Sequence, residues 1–269
     1  MTERFARERM RHELRRRALT VLRTAEVAPG MVRITFGGGD LEGFAAPGPA
    51  DHVKAFFPAG DGSTDGGSTV ARDYTPRAFR PDAQGGPELD LDFVLHGHAG
   101  AFGGPAAAWA AAAQPGDTIE IGGPRGSALP PRGIESAILV ADESALPAAA
   151  RWLEALDASG APVPTTVLIG VEDAATAAYL AGYEHEGREL RCFAGADRDA
   201  RIAEALRDAE IGEGTFLFLA GESTALIPLR RYLRRELGLP KEQVDVSGYW
   251  KRGTAGHDHH APVDPDDAD

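Results

Sequence analysis

The chain has 269 residues, of which 41 are acidic and 28 are basic, so its formal net charge is −13. This acidic balance argues against general nucleic-acid binding, which requires clustered lysine and arginine side chains. The single cysteine excludes an intramolecular disulfide and a cysteine-rich metal centre within the chain. No apolar stretch approaches the roughly 20 residues of a membrane-spanning helix, and no secretory signal is visible. We therefore expect a cytoplasmic protein without a membrane span, built from one large domain or two smaller ones.

Residues 1–16 are rich in arginine and are predicted to form a helix of their own. In this helix Phe5, Met10 and Leu14 would pack on the protein, while the arginines pair with acidic neighbours. The alternative is an amphipathic segment that binds RNA or an anionic membrane surface. The acidic net charge of the whole chain favours packing on the protein.

Residues 17–130 are predicted to form an antiparallel barrel of six short strands. Apolar and polar residues alternate in short runs bounded by glycine or proline, most strictly over residues 89–95. The run RDYTPRAFR, residues 72–80, is predicted to be one of these strands. One alanine-rich helix, from about residue 105 to residue 113, interrupts the series. This pattern is typical of a β-barrel.

Residues 131–253 show a different pattern, in which short apolar strands such as SAILVAD and TFLFLAGE alternate with helices. This alternation predicts an α/β domain with a parallel sheet covered on both faces. Cys192 is predicted to be a buried residue of one strand. Residues 254–269 are rich in aspartate and are predicted to be a disordered tail. Metal binding by the histidines of this tail, which are His257, His259 and His260, is the alternative.

The first candidate motif is RDYTPR, residues 72–77. Strand alternation puts Arg72 and Tyr74 on the same face. The tyrosine ring can stack there on a flavin, while Arg72 and Arg77 reach phosphate or ring oxygens. Thr75 offers a hydroxyl near the reactive nitrogen of such a flavin.

The second candidate motif is a glycine–proline turn that leads into the alanine-rich helix. Its residues are His96 and Gly97, then Gly104, Pro105 and Ala106, with Trp109 in the helix. The free backbone N–H groups and the dipole at a helix N-terminus can hold a pyrophosphate. The alternative is a glycine loop ahead of a core helix in which Trp109 is simply buried.

These motifs resemble those of the siderophore-interacting protein family, which comprises FAD-dependent ferric-siderophore reductases of the ferredoxin–NADP reductase type. Further matches are PGD at residues 115–117, GPRG at residues 123–126, and the blocks ADESALPAAARWLEAL, AGESTALIPLRRYLRRELGL and GYWKRG. The resemblance extends from about residue 17 to residue 253 in the order of the family. Two departures are Ala141, where the family usually has glycine, and the pair Ala107–Ala108, where serine is common.

The resemblance implies a six-stranded FAD-binding barrel followed by a parallel-sheet domain that binds NAD(P)H. It further implies that electrons pass from NADPH or NADH through FAD to the Fe(III) of a ferric siderophore, which releases Fe(II). No side chain then acts as a nucleophile or as a resident metal ligand. The FAD-binding residues that it implies are Arg72, Tyr74, Thr75, Arg77, His96, Gly97, Gly104, Pro105, Ala106 and Trp109.

A site for the nicotinamide nucleotide is implied at the strand ends of the α/β domain, where open parallel sheets bind ligands. The implied residues are Asp142, Glu143, Ser144, Ala145, Gly221 and Glu222. Trp250 is expected either to pack near the flavin or to anchor the C-terminal strand. Asp142 and Glu143 have a structural alternative, which is to cap the helix that follows them. Arg198 and Arg201 are candidate partners for the 2′-phosphate of NADPH, and the choice between NADPH and NADH stays open.

The ferric siderophore requires a local basic cluster, because many siderophores are anionic and a net charge of −13 repels them. The positions that match the family are Lys54, Arg125, Lys251 and Arg252. A ferredoxin would dock on the same cluster, so a reductase coupled to a ferredoxin-type protein is one alternative function. A siderophore carrier without flavin is the other. The sequence leaves the oligomeric state open.

Overall fold

The computed structural model describes residues 4–59, 69–95 and 104–267. The chain divides into two units. The first unit is Arg9–Leu129, and the second unit combines Met1–Glu8 with Pro130–Asp269. The division lies one residue before the predicted boundary at the proline pair. Within the described residues, no helix is both long and apolar enough to cross a membrane.

The first unit is mostly antiparallel sheet. Its elements are β1 (Arg9–Arg11), β2 (Arg16–Ala28), β3 (Met31–Gly37), β4 (Val53–Pro58), β5 (Thr69–Tyr74), β6 (Pro76–Arg80), β7 (Glu88–Val94), α1 (Pro105–Ala112), β8 (Thr118–Gly122) and β9 (Gly126–Ala128). Seven strands form one sheet in the order β5-β4-β8-β2-β3-β7-β6, and β1 pairs with β9 in a separate ribbon. The antiparallel architecture that the alternating runs predict is confirmed, with seven strands in the main sheet instead of six.

The additional strand arises because the run RDYTPRAFR is two strands. Thr75 alone separates β5 from β6, and these two strands lie at opposite ends of the hydrogen-bonded order. A single residue can join the first and last strands only if the sheet curls until they meet. Pro76 lacks an N–H group, and the register of β6 against β7 shifts between Pro76 and Ala78. The sheet is therefore curled, with its seam at Thr75.

The core of the first unit fills the inside of the curled sheet. Leu89, Leu91 and Phe93 alternate along β7 and are fully buried, as the sequence pattern predicts. Phe57 from β4 is also fully buried, and α1 covers the core with Trp109. The inward residues thus form one continuous apolar cluster beneath α1.

The second unit contains a parallel sheet with helices. Its elements are β10 (Ser136–Asp142), α2 (Leu146–Asp157), β11 (Thr165–Val171), β12 (Arg188–Ala194), α3 (Arg198–Arg207), β13 (Thr215–Glu222), α4 (Ser223–Arg231) and β14 (Val244–Trp250). The strands pair in parallel in the order β12-β11-β10-β13-β14, which confirms the predicted α/β class. Trp152 of α2 is fully buried and packs on Phe216 and Phe218, with ring centroids 4.9 and 5.5 Å away.

The predicted N-terminal helix is wrong. Residues 9–11 are instead strand β1, which pairs with β9. Gly126 makes this pairing possible, because a Cβ atom there would lie 2.5 Å from the carbonyl oxygen of Met10. Phe5 is buried against Phe216, whereas Met10 and Leu14 are 42% and 62% exposed. The backbone of this segment is thus held by a strand more than 100 residues away in the sequence, which local periodicity does not reveal.

The predicted disordered tail is also wrong for residues 254–267. Asp264 is buried and accepts a hydrogen bond from Arg231 at 2.5 Å, and Asp267 pairs with Arg230 at the same distance. His257 Nε2 lies 2.8 Å from the Ser223 hydroxyl oxygen. The acidic side chains of the tail therefore meet the arginines at the end of α4.

Cys192 lies on a strand, as predicted, but its side chain is exposed and not buried. The reason is the position of β12, which is the edge strand of the parallel sheet.

Candidate functional site

The RDYTPR motif lies at the seam of the curled sheet. In the β4–β5 register, Arg72 lies opposite Ala55 and Tyr74 lies opposite Val53. Both partners are fully buried, so Arg72 and Tyr74 share the inner face, as strand alternation predicts. The Arg72 guanidinium remains partly exposed and donates to the carbonyl oxygen of Ala71 at 2.8 Å.

Tyr74 is a partly exposed ring anchored in the aromatic core. Its ring centroid lies 4.4 Å from that of Phe93 and 5.9 Å from that of Phe57. Burial of the hydroxyl raises the pKa of Tyr74, so this group stays neutral well into the alkaline range. The next residue, Thr75, is buried at the seam.

Arg77 lies in the register shift of β6, between the paired residues Pro76 and Ala78. Such a bulge turns a side chain away from the regular alternation and is frequent beside functional sites. The seam therefore carries two guanidinium groups and one aromatic ring within six residues of sequence.

The glycine–proline turn leads directly into α1. Gly104 has a φ of +139°, and no side chain caps the first turn of the helix. A Cβ atom at Gly104 would meet no atom of the described residues within 4 Å. Ala106 is buried beneath the first turn. His96 and Gly97 lie outside the described residues.

Trp109 brings α1 to the same aromatic rings as the seam. Its ring centroid lies 5.4 Å from that of Phe57 and 6.2 Å from that of Phe93, the two rings that also contact Tyr74. The alternative of a core role for Trp109 is therefore supported by its contacts. Through this shared core, Tyr74 of the RDYTPR motif and Trp109 of α1 contact the same aromatic rings.

The two basic residues predicted in the first unit have different surroundings. The Lys54 ammonium lies 2.9 and 3.0 Å from the carboxylate oxygens of Asp73, on the opposite face of the β4–β5 ladder from Tyr74. Arg125 is exposed, and its carbonyl oxygen accepts from the N–H of His12. The positive charge of Lys54 is thus compensated locally.

In the second unit, a cleft opens at the carboxyl ends of the parallel strands. Its polar and glycine lining residues are Asp142, Gly170, Arg198, Asp199, Gly221, Glu222, Trp250 and Arg252. This is the edge at which open α/β sheets bind ligands. The structure thus brings together three of the residues implied for the nicotinamide nucleotide, Asp142, Gly221 and Glu222. Trp250 lies with them, in the cleft of the second unit.

Asp142 is the central acceptor of this cleft. Its Oδ1 accepts from the N–H and hydroxyl of Ser144, at 2.9 and 2.6 Å, and from the N–H of Ala145 at 3.3 Å. Its Oδ2 accepts from the N–H of Glu222 at 2.9 Å and from Trp250 Nε1 at 2.7 Å. These five hydrogen bonds tie the ends of β10, β13 and β14 together. Asp142 therefore caps the turn that follows β10, which is the structural alternative given for it above.

The neighbouring carboxylates also accept from backbone groups. Glu143 accepts from the N–H of Glu172 at 2.5 Å, and Glu222 accepts from the N–H of Ala225 at 2.7 Å. Burial raises the pKa of both Asp142 and Glu143, although their hydrogen bonds act in the opposite direction. These acids hold the backbone at the strand ends through the hydrogen bonds that they accept.

Arginine supplies the positive charge of this cleft. Arg198 lines it with a side chain that is 16% exposed, and Asp199 lies 3.8 Å away. Arg201 instead packs on the ring of Phe193, 5.2 Å from its centroid. Of the pair Lys251 and Arg252, both exposed, Arg252 is a lining residue.

Two lining glycines depend on close packing. A Cβ atom at Gly221, whose φ is +146°, would lie 2.6 Å from the Asp142 carboxyl. At Gly170 it would lie 2.7 Å from Ile202 Cδ1. The sequence analysis missed Gly170, and its available signal is a lone glycine in the otherwise apolar strand TTVLIGV.

Comparison with known proteins agrees with this geometry. Residues 134–253 match the siderophore-interacting protein family, and residues 20–66 and 63–128 match the siderophore-interacting FAD-binding domain. The NADPH-dependent ferric-chelate reductase of Escherichia coli K12 is 34% identical over 256 residues, which span 90% of this chain and 96% of the relative. The chain belongs to the siderophore-interacting protein family.

Two further relatives of this siderophore-interacting protein extend the comparison. The ferric vibriobactin reductase ViuB of Vibrio cholerae is 28% identical, over 91% of this chain and 92% of the relative. The crystal structure of a siderophore utilization protein from T. fusca is 35% identical. It superposes with a TM-score of 0.78, covering 95% of this chain and 100% of that one.

The donor set of this siderophore-interacting protein fits FAD. Arg72 and Arg77 offer cationic donors for a pyrophosphate, and the start of α1, which has no side-chain cap among the described residues, offers backbone N–H groups. Tyr74 offers a partly exposed ring for the isoalloxazine. In the second unit, Arg198 and the two lining glycines suit a phosphate-bearing nucleotide.

Proposed function

We propose that this siderophore-interacting protein is an FAD-dependent reductase that uses NADPH to reduce the ferric ion of a siderophore. FAD, when bound, supplies the chemistry that links a two-electron hydride donor to one-electron reduction of Fe(III). The observation that carries the proposal is the seam, where Tyr74 of the RDYTPR motif and Trp109 of α1 share one aromatic core. The 34% identity to a ferric-chelate reductase supports the choice of electron acceptor.

In the first unit, we assign Arg72 and Arg77 to neutralising the pyrophosphate and Tyr74 to orienting the flavin ring. The N–H groups at the start of α1 would add donors for the same phosphates. Trp109 acts behind them by packing on Phe57, which also supports Tyr74. Thr75 fixes the seam and offers its hydroxyl to the ring.

In the second unit, we assign the cleft at the strand ends to NADPH. Arg198 is the cation best placed for the 2′-phosphate, because it lines the cleft whereas Arg201 packs on Phe193. Asp142 is a positioning residue, since all five of its hydrogen bonds are made to the protein. Gly221 keeps the backbone close enough for that network to form.

The substrate is a ferric siderophore, whose oxygen ligands hold the ferric ion more tightly than the ferrous ion. Reduction therefore loosens the chelate and releases the iron. We assign the attraction of an anionic chelate to Arg125, Lys251, Arg252 and Lys54, of which Lys54 contributes least because Asp73 compensates it. We place the activity in the cytoplasm, which holds NADPH and keeps an exposed thiol such as that of Cys192 reduced.

The first experiment is anaerobic spectroscopy of the purified protein. We expect flavin absorption bands that bleach on addition of NADPH and return when a ferric catecholate is added, while a ferrous trap develops colour. If neither NADPH nor NADH bleaches the bands, the electron donor is not a nicotinamide nucleotide, and a protein donor such as a ferredoxin takes its place in the proposal. A colourless protein that FAD does not reconstitute would overturn the proposal in favour of a siderophore carrier.

Substitution of Tyr74 tests the flavin site. We expect Tyr74→Ala to weaken FAD retention by about tenfold, because it removes an aromatic contact of about 1–2 kcal/mol. Tyr74→Phe is the matched control and keeps the ring. The measurement is flavin fluorescence released on dilution, with near-ultraviolet circular dichroism to verify the fold. Equal retention by both variants would remove Tyr74 from the flavin site.

Substitution of Arg198 tests the nucleotide site. We expect Arg198→Met to raise the KM for NADPH by about tenfold or more, because a charged hydrogen bond to the 2′-phosphate is lost. The KM for NADH should stay unchanged. Arg201→Met is the matched control. A similar rise for both nucleotides would show that Arg198 does not recognise the 2′-phosphate.

A further inference from the structure

The first unit has a cleft of its own, which is lined by residues that the proposed reductase site does not use. It has a volume of about 190 Å³. Its lining residues are His12, Glu13, Arg15, Arg17, Glu42, Gly43, Ala45, Gly123 and Pro124. The volume exceeds that of a single water molecule several-fold, so the cleft has room for a small ion with its hydration.

Arg17 is the deepest charged group of this cleft. It is only 6% exposed, and its Nη1 donates to the carbonyl oxygens of Arg15 and Gly123, both at 3.3 Å. Its Nε is buried without an acceptor, and Nη2 makes no hydrogen bond to the described residues. A guanidinium group has five N–H donors, so three of them are unused.

The charge of Arg17 has an aromatic neighbour but no ion-pair partner among the described residues. Its guanidinium lies over the Phe44 ring, 5.4 Å from the centroid, and no described carboxylate oxygen lies within 4.0 Å of it. Burial and the nearby charge of Arg15 lower the pKa of Arg17, while Asp40 and Glu13 act in the opposite direction. Buried charges in proteins are ordinarily hydrogen-bonded to a counter-charge, so the unused donors of Arg17 suit an anionic ligand.

Two further groups surround the same space. Arg15 is half exposed and lies 3.7 Å from Asp40, a distance that leaves its donors largely free for another acceptor. His12 lines the cleft with its ring held in place, because its Nε2 lies 2.7 Å from the hydroxyl oxygen of Ser127.

The protonation of His12 follows from its neighbours. Ser127 donates its hydroxyl proton to the buried carboxylate of Asp51 at 2.5 Å. The hydroxyl has only that one proton, so His12 Nε2 must carry a proton and donate to Ser127. Nδ1 is then the ring nitrogen that Ser127 does not use.

We propose that this cleft is an oxyanion-binding site in which Arg17 is the principal donor and Arg15 assists. The ligand is a compact phosphate or carboxylate group. Glu13 and Glu42 also line the cleft and are exposed, and their charges oppose any anion, so the binding energy must come from the buried donors of Arg17. The site is independent of the reductase proposal, since it uses none of the residues assigned to flavin, nucleotide or ferric chelate.

The test is a titration of the FAD-loaded protein with inorganic phosphate at constant ionic strength, without nicotinamide nucleotide, followed by calorimetry. We expect saturable binding that Arg17→Met weakens by about tenfold or more and Arg15→Met by about threefold. Arg11→Met, which replaces an exposed arginine of β1 outside the cleft, is the matched control. A parallel titration with citrate separates a preference for carboxylate from one for phosphate.

Three outcomes would overturn the proposal. The first is the absence of saturable binding of either anion to the unsubstituted protein. The second is equal affinity in Arg15→Met and the unsubstituted protein, which does not depend on how well Arg17→Met folds. The third is loss of phosphate binding in Arg198→Met but not in Arg17→Met, because that result would place the ion in the nucleotide cleft.

Discussion

The two units use acidic side chains differently. Those of β7 in the first unit pair with arginine, whereas those at the strand ends of the second unit accept hydrogen bonds mainly from the backbone. On the outer face of β7, Arg80 donates to Glu88 at 2.9 Å and to Asp90 at 2.7 Å, and Arg33 donates to Asp92 at 2.7 Å. These carboxylates face guanidinium groups on neighbouring strands of the sheet. Their charge is compensated by an opposite charge.

At the strand ends of the second unit, Asp142, Glu143 and Glu222 accept mainly from backbone N–H groups. The two arrangements shift acid–base equilibria in opposite directions. Ion pairing holds the pKa of Asp90 below its usual range, whereas burial raises the pKa of Asp142. The carboxylates of β7 therefore stabilise the first unit through ion pairs with arginine. The carboxylates at the strand ends of the second unit instead accept hydrogen bonds from backbone N–H groups and hold the ends of neighbouring strands together.

The largest effect is expected from the central acceptor of the cleft. Asp142→Ala leaves five donors without an acceptor, and we expect the free energy of unfolding to fall by about 3–5 kcal/mol. Asp142→Asn keeps one carbonyl oxygen and should lose less. Urea unfolding followed by tryptophan fluorescence measures both, because Trp250 donates directly to Asp142. An equal loss in the two variants would contradict the acceptor role.

The next largest effect is expected from the tail, whose aspartates form ion pairs with arginines of α4. Asp264→Asn with Asp267→Asn should lower the melting temperature by about 3 °C, because the ion pairs Arg231–Asp264 and Arg230–Asp267 are lost. Asp266→Asn is the matched control, since its side chain is 92% exposed. Calorimetry measures the shift. An unchanged melting temperature would show that these ion pairs do not stabilise the protein, and it would support the predicted disorder of residues 254–267.

The sequence allowed the prediction of those features that depend on local pattern. The alternation around Leu91 predicted an inward face, and the apolar strands separated by helices predicted the parallel sheet. The RDYTPR motif was found because its residue types suit a flavin, and alternation correctly put Arg72 and Tyr74 on one face. Its position at the seam was not predictable, because it depends on which strands form the ends of the sheet.

The errors have a common physical cause, which is pairing between residues distant in sequence. Met10 belongs to a strand only because Gly126 lets β9 approach it, and Asp264 is ordered only because Arg231 lies on α4. Similarly, Trp250 donates to a carboxylate 108 residues earlier in the chain. No window of local sequence contains both partners of these contacts.

A smaller effect is expected from the ion pairs of the first unit at low pH. Hydrogen bonds from Arg23, with support from Arg80, lower the pKa of Glu88 to about 2. A carboxylate with a lowered pKa contributes stability above its ordinary pKa of 4.5 and loses that contribution as the pH falls towards about 2. We therefore expect Glu88→Gln to cost about 1 kcal/mol at pH 7 and little at pH 2.

The measurement for Glu88 is urea unfolding at several pH values between 7 and 2. Glu120→Gln is the matched control, since Glu120 also pairs with an arginine, Arg16, but both side chains are more than half exposed. The difference between Glu88→Gln and the unsubstituted protein should shrink as the pH falls. A difference that grows at low pH would mean that Glu88 is a fixed acceptor like those of the cleft.

The smallest effect is expected at Lys54, where compensation by Asp73 limits what the positive charge can do. Lys54→Ala should change the free energy of unfolding by only about 0.5 kcal/mol, because the pair is solvent-exposed. We expect it to raise the KM for an anionic ferric chelate less than Lys251→Ala does. Both effects should weaken with added salt. Lys241→Ala, on the remaining lysine of the chain, is the control, and an equal rise in KM for all three would exclude a localised basic site.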